Sequence, residues 1–191
     1  MKKMGLILLI FGGFFCSGTI LNAQETNSYA FVPATKLEAF ETNVGAIVIK
    51  GTTEVGVVST GSGQISVRYR EVTDTASGHK EHGLVVEVSR QGPFKDTMLI
   101  DYDELSSLLT AIDYMSKLDV GVTPLNSFDA AYTTKGGFRI AALGTRRTGG
   151  VHFGIRDARA ASSPIQLSRD EMTRLWTLID QAKQQLDALR R

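Results

Sequence analysis

Residues 100–115, IDYDELSSLLTAIDYM, and residues 167–182, LSRDEMTRLWTLIDQA, carry one pattern twice at an offset of 67. Asp103/Asp170, Glu104/Glu171, Leu108/Leu175, Thr110/Thr177, Ile112/Ile179 and Asp113/Asp180 are identical pairs, and Leu105/Met172 and Ser106/Thr173 are close substitutes. A repeat decides the architecture before any local reading does. Here it implies two units, each closing on an amphipathic helix that needs a surface to cover.

In the first unit the spacing predicts a helix from Asp101, with Asp101 and Glu104 as a D-x-x-E capping box. Leu105, Leu108, Leu109, Ile112, Met115 and Leu118 form a single apolar stripe, and Gly121 and Pro124 end it. In the second unit Ser168 and Glu171 form the capping box. Its stripe is Met172, Leu175, Trp176, Ile179, Ala182, Leu186 and Leu189, which assigns Trp176 to the core rather than to a ligand.

The residues ahead of each helix alternate as half-buried strands do. In the first unit these are 45–50, 54–59, 64–72 and 84–89, with a short strand at 97–100. Gly51-Thr52-Thr53, Thr60-Gly61-Ser62-Gly63 and the polar 74–83 segment supply the turns. In the second unit they are 127–134, 138–143, 151–156 and 164–167. Links of hairpin length do not suit parallel crossovers. The fold class is therefore α+β: two antiparallel sheets, each followed by a packing helix, ββββα repeated in one unit, with each helix lying across its own sheet.

A β-meander followed by a helix, used twice, resembles the topology of the Whirly proteins. Taken singly, it resembles the positive cofactor four type of single-stranded DNA binder. The tail Ile165-x-Leu167-Ser168…Leu175…Ile179-Asp180 is similar to the end of that second group, where a short strand leads into a long packing helix. The resemblance implies a fold, and it brings single-stranded nucleic-acid binding as one functional alternative. Those families bind through a basic, aromatic-bearing sheet or strand. Lys135-Gly136-Gly137-Phe138-Arg139 echoes that only superficially, and the first unit is acidic. The chain is also similar to many small exported proteins of bacteria, a likeness that carries no activity.

Export is expected from the first 23 residues. Lys2 and Lys3 precede an apolar run from Leu6 to Phe15, and Leu21-Asn22-Ala23 leads into polar Gln24, so a secretory signal cut after Ala23 is predicted. Phe14-Phe15 do not suit lipid attachment at Cys16. Cleavage removes Cys16, the one cysteine, and leaves neither a disulfide nor a thiolate. The predicted organisation is a signal at 1–23, an arm at 24–43 with one helical turn at 36–40, and units at 44–120 and 121–191. No membrane span follows the signal, and the protein is expected in the periplasm or outside the cell.

Residues 24–120 carry 8 basic and 14 acidic side chains, and residues 121–191 carry 11 and 6. Opposite signs favour docking of the two units. The strongest candidate site is the basic cluster Lys135, Arg139, Arg146, Arg147, Arg156 and Arg159, because guanidinium forks suit phosphate, sulfate or carboxylate. His79, His82 and His152 are the histidines, and they are weak candidates for a metal site or for hydrolytic chemistry. Asp101, Asp103 and Glu104 read as first-turn carboxylates that complement a helix dipole, and Gly61-Ser62-Gly63 reads as a hairpin. No cofactor motif is present. The preferred reading is a non-enzymatic exported module that binds an anionic ligand or envelope component, with a homodimer through strand edges as an option. The alternatives are a metal protein or hydrolase using the three histidines, and a single-stranded nucleic-acid binder.

Overall fold

The computed structural model describes residues 32–90, 92–93 and 95–191; the expected signal, with Cys16, and residues 24–31 of the expected arm lie outside them. A short helix, α1 (Lys36–Glu41), precedes β1 (Val48–Thr60), β2 (Gly63–Asp74), β3 (Lys80–Arg90) and β4 (Lys95–Asp101). A 3-10 turn at Tyr102–Glu104 then runs into α2 (Leu105–Ser116). The second unit comprises β5 (Ser127–Thr133), β6 (Phe138–Thr145), β7 (Gly150–Asp157), β8 (Ile165–Leu167) and α3 (Arg169–Leu189). Each group of four strands makes one antiparallel sheet in chain order, so the expected α+β class and its ββββα repeat are what the chain adopts.

Period-two burial explains why these strands form. In β6, Phe138, Ile140, Ala142 and Gly144 are buried while Arg139, Ala141, Leu143 and Thr145 face outward. The inner faces of both sheets and the stripes of both helices share one core, which includes Ile65, Val67, Leu84, Val86, Leu108, Ile112, Phe138, Ile155, Leu175 and Ile179. Trp176, expected within the core, is partly buried and packs at its margin. A smaller cluster of Leu37, Val72, Val85 and Leu99 seats α1 on the opposite face of the first sheet.

Four expectations are corrected. The strands expected at 45–50 and 54–59 are one strand, β1, and Gly51-Thr52-Thr53 lies inside it; the irregularity falls between Glu54 and Gly56, where a bulge shifts the register. Asp101 does not cap the helix that follows it. Its carboxylate accepts from the backbone N–H groups of Lys36, at 2.9 Å, and Leu37, at 3.2 Å, and so caps α1. His82 is not in a solvated loop but buried within β3.

The helices, finally, are exchanged. α3 lies over β1, β2 and β3, with Leu178 seated on Gly56, while α2 approaches β5, β6 and α3. The longer helix, α3, whose 21 residues span about 31 Å, lies on the sheet with the longer strands, and the 12 residues of α2, about 18 Å, lie on the sheet with the shorter ones.

The two helices meet at equivalent positions. Trp176 Nε1–H donates to the Leu109 carbonyl at 3.1 Å, and 109 and 176 are separated by the repeat offset. Contact between equivalent residues is what a local two-fold relation produces. Polar contacts also tie the second unit to the arm and to the first unit. Arg159 pairs with Glu38 at 2.5 Å, the Lys135 N–H donates to Glu104 Oε1 at 2.8 Å, and the Tyr102 hydroxyl donates to Asp187.

Candidate anion-binding face

The second sheet turns one face to the core and leaves the other open. Along the open face, Thr133, Arg139 and Arg156 form one cross-strand row, Ala131, Ala141, Gly154 and Gln166 the next, and Asp129, Leu143 and His152 the third. The middle row consists largely of small side chains, so the face is dished there. The result is a shallow depression of about 190 Å³ lined by Arg139, Ala141, Leu143, His152, Arg156 and Gln166 among others. Leu143 is 52% exposed beside it, so an apolar body and a cationic rim adjoin.

Arg139 and Arg156 are direct register partners on β6 and β7. Like charges opposite one another in a sheet repel, and among the described residues neither arginine is in an ion pair, although Asp129 lines the same depression. Among the described residues the ion pairs of the second unit involve Lys135, Arg159 and Lys183, and none involves Arg139, Arg146, Arg147 or Arg156. Arg139 makes one neutral hydrogen bond, to Thr133 Oγ1 at 3.3 Å. The open face of the first sheet differs. There Arg68 and Lys95 both pair with Glu87, and Arg70 and Lys50 both pair with Glu41.

The six expected basic residues therefore fall into three places. Arg139 and Arg156 share the depression. Arg146 and Arg147 sit at the β6–β7 tip, seven residues along the chain from Arg139 or about 23 Å at strand rise, where Arg146 Nη2 donates to the Thr123 carbonyl at 2.7 Å. Lys135 and Arg159 are held between the units, on Asp103 at 3.5 Å and on Glu38 and Asp157. Part of the charge asymmetry thus serves docking.

The carboxylates read as first-turn residues also join elements. Asp101 caps α1, Glu104 accepts from the Lys135 N–H, and Asp103 bridges Lys36 and Lys135. Burial alone would raise the Asp103 carboxyl, but the two lysines outweigh it and hold the group below its ordinary range. The signal for the depression, the small residues Ala131, Ala141 and Gly154, becomes visible only once register is known.

No protein-family model and no curated protein matches the chain. Among solved structures it is similar to WHY1 from Arabidopsis thaliana, at 12% identity and a TM-score of 0.31 over 72% of this chain and 89% of that one. So low a score carries no argument about a site. The order of strands and helices described above does fit the topology in which the sequence resembles the Whirly proteins.

The three histidines do not converge: His79 and His82 line one open groove, and His152 lies elsewhere. His82 Nε2 bonds to Glu71 Oε2 at 3.0 Å, His79 stacks on Phe40 and meets Glu81, and His152 stands on the open face of the other sheet. Among the described residues no group of three or more His, Cys, Asp or Glu side chains is placed to hold a metal ion, and no helix is long and apolar enough to cross a membrane. In the second sheet Phe128, Tyr132, Phe138 and Phe153 pack toward the core, which leaves His152 as the one ring on its open strand face. A row of stacking rings, as single-stranded nucleic acid uses, is not presented there.

Proposed function

We propose that the protein is an exported, non-enzymatic binding module that takes a phosphate, sulfate or carboxylate group on the open face of its second sheet. Arg139 and Arg156 are the primary contacts in this reading, and Arg146 and Arg147 extend it along the β6–β7 hairpin. The observation that carries it is two arginines set opposite each other, neither in an ion pair among the described residues, on a largely apolar depression whose far side carries Asp129. The repulsion this costs is relieved when an anion is held between the two guanidinium groups. Export rests on the charged start, apolar run and small residue at Ala23 in the sequence. Recovery of a mature protein beginning at Gln24 from an envelope or medium fraction tests that half of the proposal.

The binding half is tested by titrating the purified protein with inorganic phosphate, a sulfated oligosaccharide and vesicles of anionic lipid. At least one is expected to bind, more weakly as salt is raised. Arg139→Ala/Arg156→Ala is expected to weaken that binding about tenfold or more, the loss of one or two charge-assisted hydrogen bonds. Arg146→Ala/Arg147→Ala is expected to have the smaller effect. Binding that survives loss of Arg139 and Arg156 unchanged would remove this face from consideration.

A further inference from the structure

β1 leaves one edge of the first sheet open, since its 13 residues pair only with β2. Near the hairpin this strand is sheltered: Val58 is buried, Leu178 seats on Gly56, and the Gln166 N–H donates to Ser62 Oγ at 3.1 Å. From Ile49 to Glu54 every residue is exposed, whichever face it points to.

The direction of the backbone groups follows from one hydrogen bond. The Thr75 N–H donates to the Ile47 carbonyl at 3.1 Å, continuing the register that pairs Val48 with Asp74. In an antiparallel ladder, residues alternately turn their N–H and C=O groups toward and away from the neighbour. Ile47, Ile49, Gly51 and Thr53 therefore face β2, and Val48, Lys50, Thr52 and Glu54 offer theirs to solvent.

We propose that two copies of the chain pair antiparallel through this edge, centred on Thr52. In that register Thr52 lies opposite Thr52 of the second copy, and Lys50 lies opposite Glu54 of the second copy at both ends. Outward-facing backbone groups then meet outward-facing groups. Registers centred on Lys50 or on Glu54 set like charges opposite one another, which is unfavourable. Lysines and bulges ordinarily keep sheet edges apart. Here Lys50, which within one chain pairs with Glu41 at 3.1 Å and shares that carboxylate with Arg70, turns to a complementary partner four residues along the same edge of the second copy, and the bulge at Glu54/Gly56 falls at the end of the paired stretch. Glu54 lies opposite Arg68 on β2, but Arg68 makes its ion pair with Glu87, and among the described residues Glu54 is in no ion pair, which leaves its carboxylate for the second copy's Lys50. One strand edge covers far less than the ~1,600 Å² of a standard interface, so the dimer is weak and concentration-dependent.

Light scattering on the purified full chain over a concentration series tests this. The weight-average mass is expected to climb from one chain toward two. Thr52→Pro removes an outward N–H that the β2 ladder does not use, and is expected to abolish the rise while far-ultraviolet circular dichroism is kept. Lys50→Glu and Glu54→Lys are each expected to weaken association about tenfold, since each spoils two cross-strand pairs, and the double swap K50E/E54K is expected to restore it. A mass that stays at one chain throughout, or a double swap no better than the single variants, overturns the proposal. Should Thr52→Pro misfold, the charge swap still decides.

Discussion

At Gly136, in the turn between β5 and β6, a Cβ would land on the backbone carbonyl of Leu99 in β4 and press on the Thr35 methyl. A backbone atom in the middle of a paired strand cannot move aside as a side-chain tip can. Gly136→Ala is therefore expected to destabilise the protein by about 2 kcal/mol or more, read as a lower denaturant midpoint with an unchanged slope. Gly61, at the β1–β2 hairpin, has open space where its Cβ would go and an ordinary backbone conformation. Alanine there is expected to fall within about 0.5 kcal/mol of the parent. Nothing in Lys135-Gly136-Gly137 distinguishes a turn glycine from one under a neighbouring strand. Such a requirement comes from across the fold, which is why the residues between the strands expected at 127–134 and 138–143 read only as a link.

Elements were legible where their own period or caps define them. The box at Ser168 and Glu171 forms as read, with the Glu171 N–H donating to Ser168 Oγ at 3.2 Å. The D-x-x-E at Asp101 has the same spacing but a different fate, because Asp101 ends β4 within reach of α1, more than sixty residues earlier in the chain. Gly51-Thr52-Thr53 reads as a turn from residue type, yet twelve cross-strand pairs hold β1 and β2 together and carry the strand through it. The helix that shows most about pH is α1. Its Glu38 completes a capping box with Thr35, accepts from the Ala34 N–H at 2.8 Å and pairs with Arg159. Burial pushes its carboxyl up, but Arg159 and the amides outweigh burial and leave it below the ordinary glutamate range. A lowered carboxyl stabilises the fold above its unfolded value and loses that contribution as pH falls through the folded one. Stability is thus expected to fall from the ordinary glutamate pKa downward in pH, and Glu38→Gln is expected to flatten that part of the profile in pH-dependent denaturation while lowering stability by about 1–2 kcal/mol near neutrality.

For the whole molecule, the repeat predicted two sheets and two helices correctly but set each helix on its own sheet, which the structure reverses. An amphipathic stripe specifies that a face is buried, not what buries it. The exchange has a consequence that a helix over its own sheet would not have. Residues 32–120 expressed alone lack α3, so Ile65, Val67, Leu84 and Val86 on the inner face of the first sheet lose the helix that lies over it. Four such side chains returned to water forfeit about 6–10 kcal/mol, as much as the whole stability of a typical domain. The fragment is expected to be unfolded or aggregated, with strong dye binding to exposed apolar surface and no cooperative melt. A fragment that melts cooperatively would mean that α2 can serve the first sheet after all. In the intact chain the same logic couples the units: Leu108→Ala in α2 and Leu175→Ala in α3, fully buried equivalents in the repeat, are each expected to cost about 3 kcal/mol. Both should shift one common unfolding transition when followed by circular dichroism and by Trp176 fluorescence. Two separate transitions, with each variant moving only one of them, would show that the core shared between the sheets does not act as one cooperative body.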